Sequence, residues 1–409
     1  MVVTAKTTPD AGRAGTRRTA AIIVLLGALT AVGPFAIDMY VPGFPEMGRA
    51  LGASDSAVQL SMTAFLAGLV VGQLLIGPLS DKLGRRGPLL AGVALFAVLS
   101  LLCALAPGIA ALNVARFLQG VAGAAGMVLA RAVLTDLFHG PRLPRYFSLL
   151  GMVLGVAPVA APVLGTAVLA AGSWRTVFVV LATFGAVLLV AVLALLPESL
   201  PAERRHAGGV GGTFAAMAGL LRHRAFLGCA LTLGFAAAAL FAYIAGSSFV
   251  FQDVYGSSAA FYSLVFAVNA GGMLLAGAVF GALAGRVPVR ALLGCSIALG
   301  AAAALAHVLL VATVGGSPAI TWGCLFFVAA GIGGVFPASM SLGQALGRHA
   351  SGAASAVLGG TQFLFGAVAS PVAGAFGGHS PLPMAVVMLV VLVCAGVAYL
   401  TLVRPGSAE

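Results

Sequence analysis

Gly77-Pro78-Leu79-Ser80-Asp81-Lys82-Leu83-Gly84-Arg85-Arg86-Gly87 is a short basic connector between two apolar runs, residues 57–79 and 88–107. Each run reaches the ~20 residues that a helix needs to cross a bilayer. Glycine suits the unusual backbone angles of a tight turn. Asp81 can cap a helix start or meet a basic partner. Three cations, Lys82, Arg85 and Arg86, mark the connector as one held on the cytoplasmic side. That rule explains the cations but not an Asp and two glycines at these spacings.

The same pattern of long apolar run and short connector extends in both directions. Ten further runs cover 20–43, 110–134, 144–171, 175–196, 225–248, 261–285, 290–314, 318–343, 352–377 and 382–403. They are too long for transmembrane barrel strands, which use about 10 residues of alternating polarity. The spacing predicts twelve membrane-spanning helices. The first run follows a basic leader with Arg13, Arg17 and Arg18. It is longer than a signal-peptide core and lacks a small-residue cleavage site, so it reads as a retained helix.

Composition agrees. Of the 409 residues, 61% are hydrophobic and 8% charged, against about 25% charged in soluble domains. So few charges cannot cover a water-facing surface, which excludes a soluble enzyme, a disordered chain and a nucleic-acid-binding domain. The net charge of +11 is not a basic patch. With the N-terminus inside, the inner segments hold 17 of the cations: Lys6, Arg13, Arg17, Arg18, Lys82, Arg85, Arg86, Arg142, Arg145, Arg204, Arg205, Arg222, Arg224, Arg286, Arg290, Arg348 and Arg404. The outer segments hold Arg49 and Arg175, and Arg116 and Arg131 lie within the fourth run. That bias places both termini in the cytoplasm.

The longest polar stretch, 197–224, divides the chain into six runs and six. The expected organisation is a cytoplasmic segment 1–19, a bundle 20–196, a flexible linker 197–224, a bundle 225–403 and a tail 404–409. Paired bundles are the pattern of transporters built from repeats. The connector Gly281-x-x-x-Gly285-Arg286-x-x-x-Arg290 reads as an eroded copy of Gly77–Arg86. The five cysteines fall in apolar runs with no C-x-x-C, as small buried hydrophobes. No phosphate-binding loop and no His/Cys cluster is present, so neither ATP, a cofactor nor a metal is expected.

Taken together, the motifs resemble the major facilitator superfamily. The 77–87 connector resembles its loop motif, and Arg116-Phe117-Leu118-Gln119-Gly120 its fourth-helix motif. Residues 155–165, with Gly155, Pro158, Pro162 and Gly165, resemble the helix-five motif of drug–proton antiporters. Asp38-Met39-Tyr40-Val41-Pro42, Arg131–Asp136, Trp174-Arg175, Leu196–Ser199 and Phe249–Tyr255 with Ser257 are similar to the Bcr/CflA subfamily, which includes bicyclomycin and chloramphenicol/florfenicol exporters. Where the wider pattern has Gly-Pro, this chain has Ala157-Pro158. The resemblance implies an all-α fold of two six-helix bundles and a monomeric drug exporter in the cell (inner) membrane. It would be driven by the proton gradient, with H+, a small molecule and membrane lipid as partners and no nucleic acid.

Asp38 is the expected proton-coupling residue. A charge inside a span costs about 2.5–3.5 kcal/mol on insertion scales and marks a functional candidate. Asp38 and Arg116 both lie roughly 9 Å below the outer boundary, while Arg131 is about 22 Å deeper. Depth therefore selects Arg116 as the partner of Asp38. Arg131 and Asp136 are expected to join Asp81, Arg85 and Arg86 in a cytoplasmic gate with Gly77 and Gly84. Pro158 and Pro162 are expected to make helix five bendable. Pocket candidates are Tyr40, Asn113, Gln119, Tyr243, Asn269, Gln344 and Gln362. His307 reads as a helix–helix hydrogen-bonding residue. Two alternatives to export are a proton symporter that imports a metabolite and a membrane sensor that no longer transports.

Overall fold

A computed structural model describes residues 9–138, 143–204, 210–375 and 380–403. Twelve helices among them are long and apolar enough to cross a membrane. The first span, Thr19–Leu51, is built from two helices, α1 (Pro9–Asp38) and α2 (Phe44–Leu51), joined by a 3-10 turn at Val41–Gly43. The expected run ended at residue 43, whereas the span continues to Leu51. Pro42 and Pro45 remove two consecutive-turn N–H donors, and the chain cannot stay regularly α-helical through them.

The rest of the first half is α3 (Asp55–Leu83), α4 (Arg86–Ala104), α5 (Ile109–Leu137), α6 (Leu143–Ala171) and α7 (Trp174–Leu195). A short helix, α8 (Val210–Arg222), lies inside the stretch read as a flexible linker; its Met217 and Leu220 are buried against Phe226 and Leu358. The second half is α9 (Arg224–Phe249, extended by a π-turn at Val250–Val254), α10 (Ala259–Leu283), α11 (Val289–Val314), α12 (Pro318–Leu346), α13 (Ser351–Ala375) and α14 (Leu382–Ala398). The two halves form two six-helix bundles.

Val24, Leu75, Leu105, Val114, Val190, Leu275 and Val314 are each more than half exposed. An apolar surface of that extent is a lipid-facing one. It also explains the cysteines: Cys103 and Cys229 are buried as expected, but Cys295 is exposed on α11. An apolar residue has no need of burial where the solvent is hydrocarbon.

The two related connectors share a backbone conformation. Gly84 closes α3 at φ 92° and Gly285 follows α10 at φ 93°. That left-handed region is open to glycine and strained for other residues. The sequence repeat is thus a conformational repeat, retained where the side chains have diverged.

In α6 the helix runs unbroken through Pro158 and Pro162. The bundles meet along α6 with α10, α3 with α13, and the first span with α9. The hydrogen bonds described below between the halves lie in the half of the membrane away from the basic connectors.

Candidate functional site

Asp38 is the last residue of α1 and is 3% exposed. It therefore sits at the break in the first span. Its Oδ1 is buried and accepts no hydrogen bond among the described residues. The hydroxyls of Tyr243 on α9 and Tyr262 on α10 lie within electrostatic reach of it. The carboxyl of the first half thus faces the second half.

Arg116 lies at the depth expected but faces elsewhere. It is fully buried inside the first bundle. Its Nη2 donates to the Ala36 carbonyl at 2.9 Å and its Nη1 to Gln119 Oε1 at 2.6 Å. The guanidinium lies 4.3 Å from the Tyr40 ring centre and 4.2 Å from that of Phe65. No ion pair joins it to Asp38. The Ala36 carbonyl belongs to the last turn of α1, so the cation caps the negative end of that helix. Residue depth was readable from sequence. Helix rotation was not, and it turned Arg116 into the first bundle with no ion pair to Asp38.

Gln119 is part of the same internal network: its Nε2 donates to Ser100 Oγ at 2.6 Å. Tyr40 pairs with Ser61 Oγ at 3.2 Å. Both residues were pocket candidates, and both point into the first bundle. Asn113 is half-buried with its Oδ1 unbonded. Gln344 donates to Ser355 near the basic end of the second bundle, and Gln362 is half-buried on α13.

Tyr243 and Asn269 are brought together. Asn269 Nδ2 donates to the Tyr243 hydroxyl at 3.1 Å, leaving Asn269 Oδ1 buried and unbonded. The Tyr243 ring stacks on Phe266, with centroids 5.5 Å apart. Tyr262 packs on Phe266 and pairs with Ser247 at 3.4 Å. Asp38, Tyr243, Tyr262 and Asn269 form the polar centre between the halves. Tyr262 escaped the sequence reading because a tyrosine in an apolar run carries no sign of which helix face it occupies.

The helix-five motif borders this centre. A Cβ on Gly165 would collide with the Met39 carbonyl, and one on Gly155 would meet Leu274 Cδ2 at 2.6 Å. Pro162 supplies a carbonyl to Ser263 Oγ at 3.2 Å, and Thr166 also pairs with Ser263. The motif is a close approach of α6 to the break on one side and to α10 on the other.

At the basic end, Arg85 holds a charge cluster. Its Nη1 lies 2.5 Å from Asp81 Oδ1 and its Nε 3.1 Å from Asp136 Oδ2. Ser199 Oγ donates to the same Asp136 oxygen at 3.0 Å. Glu198 accepts the backbone N–H of Arg85 at 2.8 Å and of Arg86 at 3.3 Å, a carboxylate at the N-terminus of α4. Arg86 donates to the Leu193 carbonyl near the end of α7. Arg131 makes no polar contact with this cluster. It lies five residues, nearly a turn and a half, before Asp136, and α-helical geometry turns it to a different face. His307 pairs with Thr321 on the neighbouring helix at 3.3 Å.

The sequence profile of the Major Facilitator Superfamily matches residues 26–371. The chain belongs to that superfamily. Among superfamily relatives, it is 40% identical over 386 residues to an uncharacterized transporter of this type, YdgK of Bacillus subtilis, covering 94% of this chain and 96% of the relative. It is 28% identical to a bicyclomycin resistance protein homolog of Haemophilus influenzae, with 92% and 94% covered. Over 175 residues it is 35% identical to the multidrug resistance protein MdtL of Escherichia coli, covering 43% and 45%. In fold it is similar to a bacterial homolog of the human lysosomal transporter Spinster, in an inward-facing and unoccupied conformation. That likeness has a TM-score of 0.74 at 17% identity, over 95% of this chain and 97% of the other. The protein is a multi-pass membrane transporter of the superfamily.

Proposed function

We propose that the protein is a Bcr/CflA-type antiporter of the cell membrane. It would export small, largely apolar compounds, chloramphenicol-like antibiotics among them, in exchange for H+ by alternating access. Both termini would lie in the cytoplasm, so the basic end is the inner one. The chain would work as a monomer and without a cofactor. The observation that carries this reading is the buried Asp38 carboxyl, which among the described residues has no counter-ion and no hydrogen bond to Oδ1, at the break in the first span. A buried carboxylate without a partner is costly, and binding a proton removes the charge. A proton taken up there stabilises the closed arrangement, and its release must be offset by cargo or by movement of the halves.

The energetics suffice. One charge crossing 100 mV yields about 2.3 kcal/mol, which supports roughly a 50-fold concentration ratio. The hydrogen bonds from Ser248 and Gln252 to the broken segment of the first span close the end away from the basic connectors, which fits an inward-facing state from which cytoplasmic cargo enters. Relatives named for bicyclomycin and multidrug resistance support a drug as cargo.

The test uses inside-out vesicles with an acidic lumen and a pH-sensitive dye. Chloramphenicol or florfenicol is expected to trigger proton efflux from the lumen with the wild type and not with Asp38→Asn. Proton movement in the opposite direction would establish symport instead, and an unchanged response in Asp38→Asn would remove Asp38 from the coupling step.

A further inference from the structure

The break in the first span leaves backbone carbonyls at the interface, and the second half donates to them. Ser248 Oγ donates to the Val41 carbonyl at 2.8 Å. Gln252 Nε2 donates to the Pro42 carbonyl at 2.9 Å and to Ser248 Oγ at 2.8 Å. A regular α-helix would satisfy the Val41 carbonyl with the N–H of residue 45, but residue 45 is Pro. Instead Val41 accepts the Phe44 N–H of the 3-10 turn, and its second lone pair takes the serine.

A second irregularity holds one of the donors, Gln252, while Ser248 lies in the last turn of α9 just before it. Gln252 sits in the π-turn Val250–Val254 at the end of α9. One π-turn within a helix rotates the side chains that follow it. Two irregular segments, one in each half, thus face each other with matched hydrogen-bonding groups. Around them Gln59 donates to the Ala245 carbonyl at 3.3 Å and Thr63 to the Ala367 carbonyl at 2.9 Å. Asp38 lies three residues before Val41, on the same broken segment.

We infer that Ser248 and Gln252 are positioning residues that clasp the broken segment of the first span, holding Asp38 against the second half while the outer side is closed. The clasp must open whenever the outer side opens. Its bonds go to backbone carbonyls, so substitution at residues 41 and 42 leaves their acceptors in place. The part that concerns Asp38 rests on the antiport reading above; the clasp itself does not.

The full-length protein in lipid nanodiscs tests both parts without any cargo. Hydrogen exchange of the 39–51 segment reports the clasp, and carbodiimide modification of Asp38, read by peptide mass, reports its position. Ser248→Ala and Gln252→Glu each remove a donor. Each is expected to raise exchange of that segment about fivefold, the worth of one hydrogen bond, and to change the rate of Asp38 modification. Ser248→Thr keeps the hydroxyl and is expected to match the wild type. Gln252→Met keeps the length without the donor and is expected to match Gln252→Glu, which holds the test if the threonine does not fit. Wild-type exchange in Ser248→Ala and Gln252→Met would overturn the clasp. Faster exchange with unchanged Asp38 modification would overturn the positioning role. Failure of Asp38→Asn to abolish coupled proton flux would remove Asp38 from the coupling step and leave the exchange result standing.

Discussion

Gly165→Ala is the substitution with the sharpest expected effect. The added Cβ would fall on the Met39 carbonyl oxygen, 2.8 Å from its carbon and 3.1 Å from Met39 Cα. All three are backbone atoms, so none can rotate away. To restore ordinary van der Waals distance, α6 and the break must separate by about one and a half ångströms, an overpacking cost of about 1–3 kcal/mol. The displaced residue immediately follows Asp38, so transport suffers beyond the loss of stability. Gly155→Ala is the matched control. Its Cβ meets Leu274 Cδ2 at 2.6 Å, the end of a flexible side chain that can turn aside, for a cost of about 1 kcal/mol or less. Thermal melting in nanodiscs and dye-reported proton flux are measured on both variants. Gly165→Ala should melt earlier and lose most of its flux, while Gly155→Ala stays near wild type. Wild-type behaviour of Gly165→Ala, or equal damage in both, would refute the close-approach account of the motif.

Other outcomes follow from the same geometry. Arg116→Lys keeps a positive charge but loses the fork that reaches Gln119 and Ala36 together; a loss of about 2–3 kcal/mol is expected, and an unchanged melting temperature would contradict the capping role. Asp136→Ala removes a partner of Arg85 from a mostly buried pair, with 12% and 19% side-chain exposure, and should cost about 1–2 kcal/mol with little salt dependence. The Arg49–Asp253 pair joins the halves at 70% and 40% exposure. Arg49→Ala should therefore shift stability by under about 1 kcal/mol, and a larger shift would mark that pair as a main link between the halves.

Much of this molecule was open to reading in one dimension. Span number follows from hydrophobic length, because a bilayer imposes a fixed thickness on every crossing segment. The connector at 77–87 and its eroded copy at 281–290 were visible as a repeat, and both closing glycines take up the same left-handed conformation. Depth along a helix is a matter of counting at a fixed rise per residue, which placed Asp38 and Arg116 at one level.

What counting cannot supply is azimuth. The direction in which a side chain leaves its helix depends on how the helix is rotated against its neighbours, and an apolar run with lipid on one side and protein on the other carries little amphipathic pattern to fix it. So Arg116 turned inward to cap α1, Arg131 turned away from the Arg85 cluster, and Tyr40 and Gln119 entered the first bundle. Tertiary packing also decided that Asp38 ends a helix and faces Tyr243 and Tyr262 across the two halves. The residues that clasp that break, Ser248 in the last turn of α9 and Gln252 in the π-turn after it, come some 200 positions along the chain. The sequence by itself determined the crossings and the depth of each charge, because those depend on membrane thickness and helical rise. Only the tertiary structure decided which groups meet, because meeting depends on rotation and on contacts between segments distant in sequence.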